Sequence, residues 1–362
     1  MKTKLFIVTL FAYSLVSISG ASACTVFRMT AKDGSILIAR SMEFAVDLHY
    51  DLIVVPRNTT FTSPFPQGRH GITWATRFGY VGVASMGMNS GVSEGMNEKG
   101  LSISALWFEN NMQWQQVSSG DSNQALAQTM FSDWVLGRFS TVEDVKASVI
   151  KIKVFNYTDP SIKMPVLLHY IVYDAAGGSI VIEFDKGQCN VYDNPLGIMT
   201  NSPNFPWQMT NLRQYIGMDP ANPKAANADG LTFSATGHGQ GMIGLPGDYT
   251  PPSRFVRLAM FSRFVDQQPD AAHNLILCNH VINTFTIPFG IIVDKAPDGT
   301  ILDKESTQWV TFRDITNRVL YFKTYDNPTL RKIDLNKLDF SAKDIRRIAM
   351  YGTQQTIIDV TK

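Results

Sequence analysis

Cysteine is scarce in this chain: three in 362 residues, at Cys24, Cys189 and Cys278. So small and odd a number argues against a disulfide-stapled scaffold, and no CxxC or HxxxH spacing offers a zinc site. An excess of either charge is missing too. Lys and Arg number 32 against 31 Asp and Glu, and the basic residues are scattered. That balance gives no electrostatic ground for nucleic acid or an anionic membrane as partner. There is no G-x-S-x-G elbow and no HExxH helix, and the six histidines sit in no triad motif. Gly239-Gln240-Gly241-Met242-Ile243-Gly244 matches a dinucleotide fingerprint by letters alone. Leu245-Pro246-Gly247-Asp248 and Pro251-Pro252 follow it, so no helix can begin there to receive a pyrophosphate.

What is present begins at the first residue. Lys2 and Lys4 precede an apolar stretch from Leu5 to Ile18, and Ala21 and Ala23 occupy the −3 and −1 positions of an A-x-A site. This is the pattern of a secretory signal peptide over residues 1–23, too short and wrongly flanked for a membrane anchor. Its removal takes two lysines and leaves 30 basic residues against 31 acidic ones. It also leaves Cys24 first, with a thiol and a free α-amine on one residue. Such an amine titrates at about 7.7–8.0 and can serve as base for its own side chain. The competing fate of a cysteine at this position is acylation on sulfur, as in a lipoprotein, which would block the thiol. Export predicts a periplasmic or secreted protein.

Apolar residues make up 44% of the chain and charged ones 17%, as in an ordered globular protein. Without a linker or repeat, residues 24–362 read as one domain. Strands are expected at 24–29 and 36–41 around the turn Lys32-Asp33-Gly34, then at 80–88 and 101–108. A helix is expected at about 122–139 and a second from Thr141, where Thr-Val-Glu-Asp has the form of a capping box. A strand meander over 166–201 follows, then helices at 254–266 and 271–281, then strands at 309–313 and 319–325. Runs of strands and helices that do not alternate argue for an α+β fold with antiparallel sheets. Cys189 and Cys278 read as small buried apolar residues, with a disulfide between them left open. His169, inside an apolar strand, reads as a satisfied residue and not a catalyst.

An N-terminal cysteine nucleophile needs no histidine, but it does need a cation near sulfur, a carboxylate near the amine and donors for an oxyanion. Arg40 and Glu43, brought close to Cys24 by the hairpin, are of the first two types. Solvated strand charges are the alternative.

The opening CTVFRMTAKDGSILIARSMEF resembles the mature N-terminus of the choloylglycine hydrolase and penicillin V acylase family, a branch of the N-terminal nucleophile hydrolases. The resemblance continues in order through SEGMNEKGLSISALWF, LHYIVYDAAGGSIVIEF, MTNSPNFPWQMTNLRQYIG, GLPGDYTPPSRFVRLAM and YFKTYDNPTLR. It implies a four-layer αββα sandwich and hydrolysis of a non-peptide linear amide by Cys24, without cofactor or metal. It also implies that Arg40 contacts the thiol, that the Asn201 side-chain amide and the Trp107 backbone N–H form the oxyanion hole, and that Arg254 is a second active-site arginine. Asn97 would hold its turn. Glu43 stands where the family usually has aspartate, one methylene shorter. An indole at Trp107 would narrow and flatten the acyl pocket, favouring an aryl or straight acyl chain, as in penicillin V, over a steroid. Conjugated bile salts and N-acyl homoserine lactones are the other amide classes, and loops such as 64–73 are expected to shape the pocket. Residues 211–241 resemble the arm of tetrameric members, which makes a homotetramer the expected assembly.

Overall fold

The computed structural model describes residues 23–85, 87–109, 112–158 and 166–361. The expected leader therefore lies outside the described residues except for Ala23.

Two large sheets carry the architecture. The first has Thr25–Thr30 and Ile36–Phe44 as an antiparallel pair, with Ile198–Met199 on one side and Ile301–Asp314, Val319–Thr324 and Arg331–Asp334 on the other. Ile292–Lys295 pairs with the outer end of the long Ile301–Asp314 strand. The second sheet orders as Gln188–Asp193, Ser179–Asp185, Leu168–Tyr173, Ser102–Trp107, Glu94–Asn97, Tyr80–Ala84, Asp51–Val55 and Arg346–Ala349.

The period-two alternation of strand side chains builds the layers. On the second sheet Leu52, Val54, Val81 and Val83 join the core shared with the first sheet. Their neighbours Ile53, Val55 and Tyr80 pack instead with Phe131, Val135 and Val145 of the helices Phe131–Arg138 and Val142–Val149. The first sheet is covered on its far side by the helices Pro251–Phe264 and Ala271–Asn283. Helices, sheet, sheet and helices give the αββα sandwich.

Two readings of the sequence change, and one that was left open is decided. The long helix expected at 122–139 is only Phe131–Arg138, because Ala125–Ala127 is a fully buried strand paired in parallel with Lys153–Phe155. The Ala127 N–H donates to the Ser63 hydroxyl at 2.8 Å. Tertiary pairing there overrides helix propensity. Cys189 and Cys278 are both free thiols, one on an edge strand of the second sheet and the other on a helix of the opposite layer. The helix containing Arg254 begins three residues earlier than expected, with Pro251 and Pro252 in its first turn. Proline suits that position, since its missing N–H would be unpaired anyway. Thr141 does cap the next helix as its motif suggested, accepting from the Asp144 N–H at 3.1 Å.

Candidate active site

Register places Cys24 between two chemically different surroundings. In the first hairpin Val26 lies opposite Arg40 and Thr25 opposite Ser41. Alternation therefore sends the Cys24 side chain, with Arg40 and Met42, to the face between the sheets. Thr25 and Glu43 face the helices. A one-residue bulge between Thr307 and Trp309 does the same for the neighbouring strand. Glu305 and Thr307 lie on the Glu43 face, while Trp309 and Thr311 turn toward Arg40.

On the thiol side, the Arg40 guanidinium donates to the Cys24 sulfur at 3.7 Å and to the Ala105 carbonyl at 3.0 Å. The thiol contacts the Met42 sulfur at 3.6 Å. Arg40 is fully buried and pairs with Glu94 at 2.7 Å. Glu94 also accepts from the Trp309 indole at 2.7 Å and from Thr311, and Arg313 lies 3.5 Å away. Burial pushes the Glu94 carboxyl up, but Arg40 and Arg313 outweigh it and hold its pKa below the usual value.

On the helix-facing side, Arg254 donates to the Cys24 carbonyl, to the Thr25 hydroxyl at 2.8 Å and to the Asn201 side-chain oxygen at 2.8 Å. Burial lowers its pKa to about 10, partly offset by Glu43. Glu43 accepts from the Thr307 hydroxyl at 2.7 Å, and burial raises its pKa to about 7, with Arg254 the main opposing charge. Glu305 accepts from the Ala23 N–H at 2.6 Å.

The contact with Arg254 fixes the orientation of the Asn201 amide, whose nitrogen donates to the Trp107 carbonyl at 2.7 Å. That nitrogen carries a second N–H, and Asn201 lines the larger of two cavities here. The Trp107 N–H is aimed by the sheet. Phe108 N–H donates to Leu167 O, so in antiparallel alternation the preceding N–H points away from that strand. His169 braces both segments. It stacks on Phe108 with ring centroids 4.5 Å apart, and its Nε2 is 2.9 Å from the Thr200 carbonyl.

Two cavities meet at Trp107. An apolar one of about 150 Å³ holds Cys24, Met42, Phe44, Ala105, Leu168 and Tyr170 on its wall. A second, of about 510 Å³, is lined by Ala23, Asn201, Ser202, Tyr249, Arg254 and Glu305. Trp107 packs edge-on against Phe44, and its indole N–H donates to Glu109 at 2.7 Å. Segment 64–73 does not line the apolar cavity; Ser85, Met88 and Gly91 do, so the loop expected to shape it is a different one.

The structure thus gathers Cys24 with Arg40, Asn201 with Arg254 and Trp107, and sets Glu43 on the opposite face from the thiol. Sequence reasoning passed over Glu94 and Glu305. A carboxylate inside the buried strand Glu94–Asn97 was the available signal for the first; Glu305 carried none.

The layered fold is that of an N-terminal nucleophile hydrolase. The chain belongs to the linear amide C–N hydrolases of the choloylglycine hydrolase family, whose model matches residues 24–349, and it is an enzyme of that class. It is 30% identical over 329 residues to the bile salt hydrolase/transferase of Clostridium perfringens, covering 89% of this chain and 95% of that protein. A crystal structure of a variant of the conjugated bile acid hydrolase from Clostridium perfringens superposes with a TM-score of 0.81 at 27% identity, covering 93% of this chain and 100% of that one. Penicillin V acylase from Agrobacterium tumefaciens shares the fold, with a TM-score of 0.74 at 22% identity over 92% of this chain and 94% of its own.

Proposed function

We propose that the leader is cut after Ala23 during export and that the processed enzyme, periplasmic or secreted, hydrolyses an N-acyl amide through a thioester on Cys24. The α-amine takes the thiol proton and the sulfur attacks the amide carbonyl. Asn201 and the Trp107 N–H donate to the oxyanion, a contribution of about 3–4 kcal/mol per donor. The C–N bond breaks as the α-ammonium protonates the leaving amine. Water then attacks the thioester, the amine acting as base, and the free acid departs. Arg40 stabilises the charge on sulfur throughout.

The observation that carries this reading is the Cys24 thiol at the wall of an apolar cavity, 3.7 Å from a buried guanidinium. Cavity size supports the substrate class. About 150 Å³ is well under the roughly 300–1,000 Å³ of a pocket for a drug-sized ligand. It suits a compact, flat acyl group of the penicillin V kind. The similarity to bile salt hydrolases favours conjugated bile salts as the second reading, with N-acyl homoserine lactones as a further amide class. A homotetramer is the proposed assembly, supported by the exposed hairpin of Ala226–Ala228 and Leu231–Phe233, which presents Leu231 and Phe233 to solvent.

The test is amine release from penicillin V, glycocholate, taurocholate and acyl homoserine lactones by the processed enzyme and by Cys24→Ala. Turnover confined to the parent, fastest with penicillin V, is expected. A Cys24→Ala protein that still hydrolysed amides would overturn the mechanism, and a preference for glycocholate would replace the substrate class. The mass of the mature N-terminus checks that Cys24 carries no acyl group.

A further inference from the structure

Glu305 has no part in the chemistry above, yet it is 2% exposed in the wall of the larger cavity. Its carboxylate accepts from the backbone N–H of Ala23, the last residue of the expected leader. Successive backbone nitrogens lie roughly 3–3.6 Å apart. A carboxylate oxygen 2.6 Å from Ala23 N therefore lies within about 6 Å of Cys24 N. The charges around it are unbalanced. Glu43 from the Ile36–Phe44 strand and Asp294 from Ile292–Lys295 face it with their negative charges, and Arg254 from the helix Pro251–Phe264 is the opposing cation. A buried charge is ordinarily paired with one of the opposite sign.

We propose that Glu305 is a positioning residue that holds the leader backbone before the cut and receives the Cys24 α-ammonium after it. The proposal rests on the reading of Cys24 as the N-terminal nucleophile. Cleavage breaks the Ala23–Cys24 peptide bond with water, freeing the Ala23 carboxyl and an amine on Cys24. That amine is protonated in place of the N–H Glu305 has lost. The geometry then divides the labour. Arg40 favours the thiolate on one face of the strand, and Glu305 with Glu43 favours the ammonium on the other. Burial and the nearby Glu43 raise the Glu305 carboxyl to about 8 while the leader is attached, in keeping with a site short of a cation.

The test compares processed parent, Glu305→Gln and Glu305→Asp. The Cys24 α-amine is followed by pH titration of its nitrogen-15 resonance, and kcat/KM is measured across pH. In Glu305→Gln the amine should titrate about one unit lower, with kcat/KM at neutral pH reduced about tenfold, mostly in kcat. Glu305→Asp should recover part of both. Parental titration in Glu305→Gln overturns the proposal, whatever happens to its melting temperature, since a purely structural residue would move the latter alone. Activity in Cys24→Ala would instead sink the nucleophile reading, so the two failures are told apart.

Discussion

The two faces of the strand pair at Cys24 are opposite in charge. Between the sheets, Arg40 and Arg313 surround a single carboxylate among the described residues, Glu94, and the thiol completes the group. Toward the helices, Glu43 and Glu305 both have the Arg254 guanidinium as a nearby cation, and the α-amine proposed for the processed chain would complete that group. One face is short of an anion and the other short of a cation. Together they fit a cysteine that is thiolate at its side chain and ammonium at its backbone, the state needed for attack on a carbonyl.

The largest expected effect comes from the thiol side. Glu94→Gln strands two buried guanidiniums and should destabilise the protein by about 3–5 kcal/mol, read as a lower denaturation midpoint in urea. An unchanged midpoint would mean that Arg40 is held without its carboxylate. Next is Asn201→Ala, which removes a donor and frees Arg254. It should lower kcat roughly 10²–10³-fold, with a smaller change in KM.

The faces should also differ in how stability depends on pH. Glu94 titrates below its ordinary value when folded, so its contribution is present above about 4.5 and fades as pH falls through the folded value. Glu43 and Glu305 are raised to about 7 and about 8 in the leader-bearing chain. Their contribution is complete below about 4.5 and is lost as pH rises through those values. Processing supplies an ammonium, and that alkaline loss should shrink. Urea midpoints from pH 5 to 9 for the leader-bearing chain and for the chain beginning at Cys24 check this; parallel curves would break the contrast.

The smallest effect belongs to the wall between the cavities. Trp107→Ala should widen the apolar cavity and shift relative kcat/KM from penicillin V toward bulkier acyl groups by about tenfold. An unchanged substrate ranking would remove the indole from specificity.

Much of this arrangement is legible in the sequence, and the unreadable part has a physical pattern. Arg40 follows Cys24 by 16 positions through a tight hairpin, so local spacing brings the two together. Asn201, Arg254 and Trp107 are remote from Cys24, and the family resemblance pointed to them. Glu94 meets Arg40 across 54 positions and Glu305 meets Ala23 across 282, where only the packing of sheets and strands makes neighbours. The face of Glu305 also depends on a bulge that inverts alternation within its own strand. Likewise the apolar run at Ala125–Ala127 reads as helix until its partner strand Lys153–Phe155 is known.

The most direct measurement is the rate at which iodoacetamide alkylates Cys24 at pH 7 in chains that begin at Cys24 and at Ala23. Cys189, whose thiol burial pushes up to about 12, and buried Cys278 should stay slow in both. If the freed amine activates the sulfur, the chain beginning at Cys24 should react at least about tenfold faster, and only it should release amine from substrate. Equal alkylation rates and equal turnover in the two chains would show that one additional residue leaves the nucleophile fully active, and the α-amine could not then be the base that activates the sulfur.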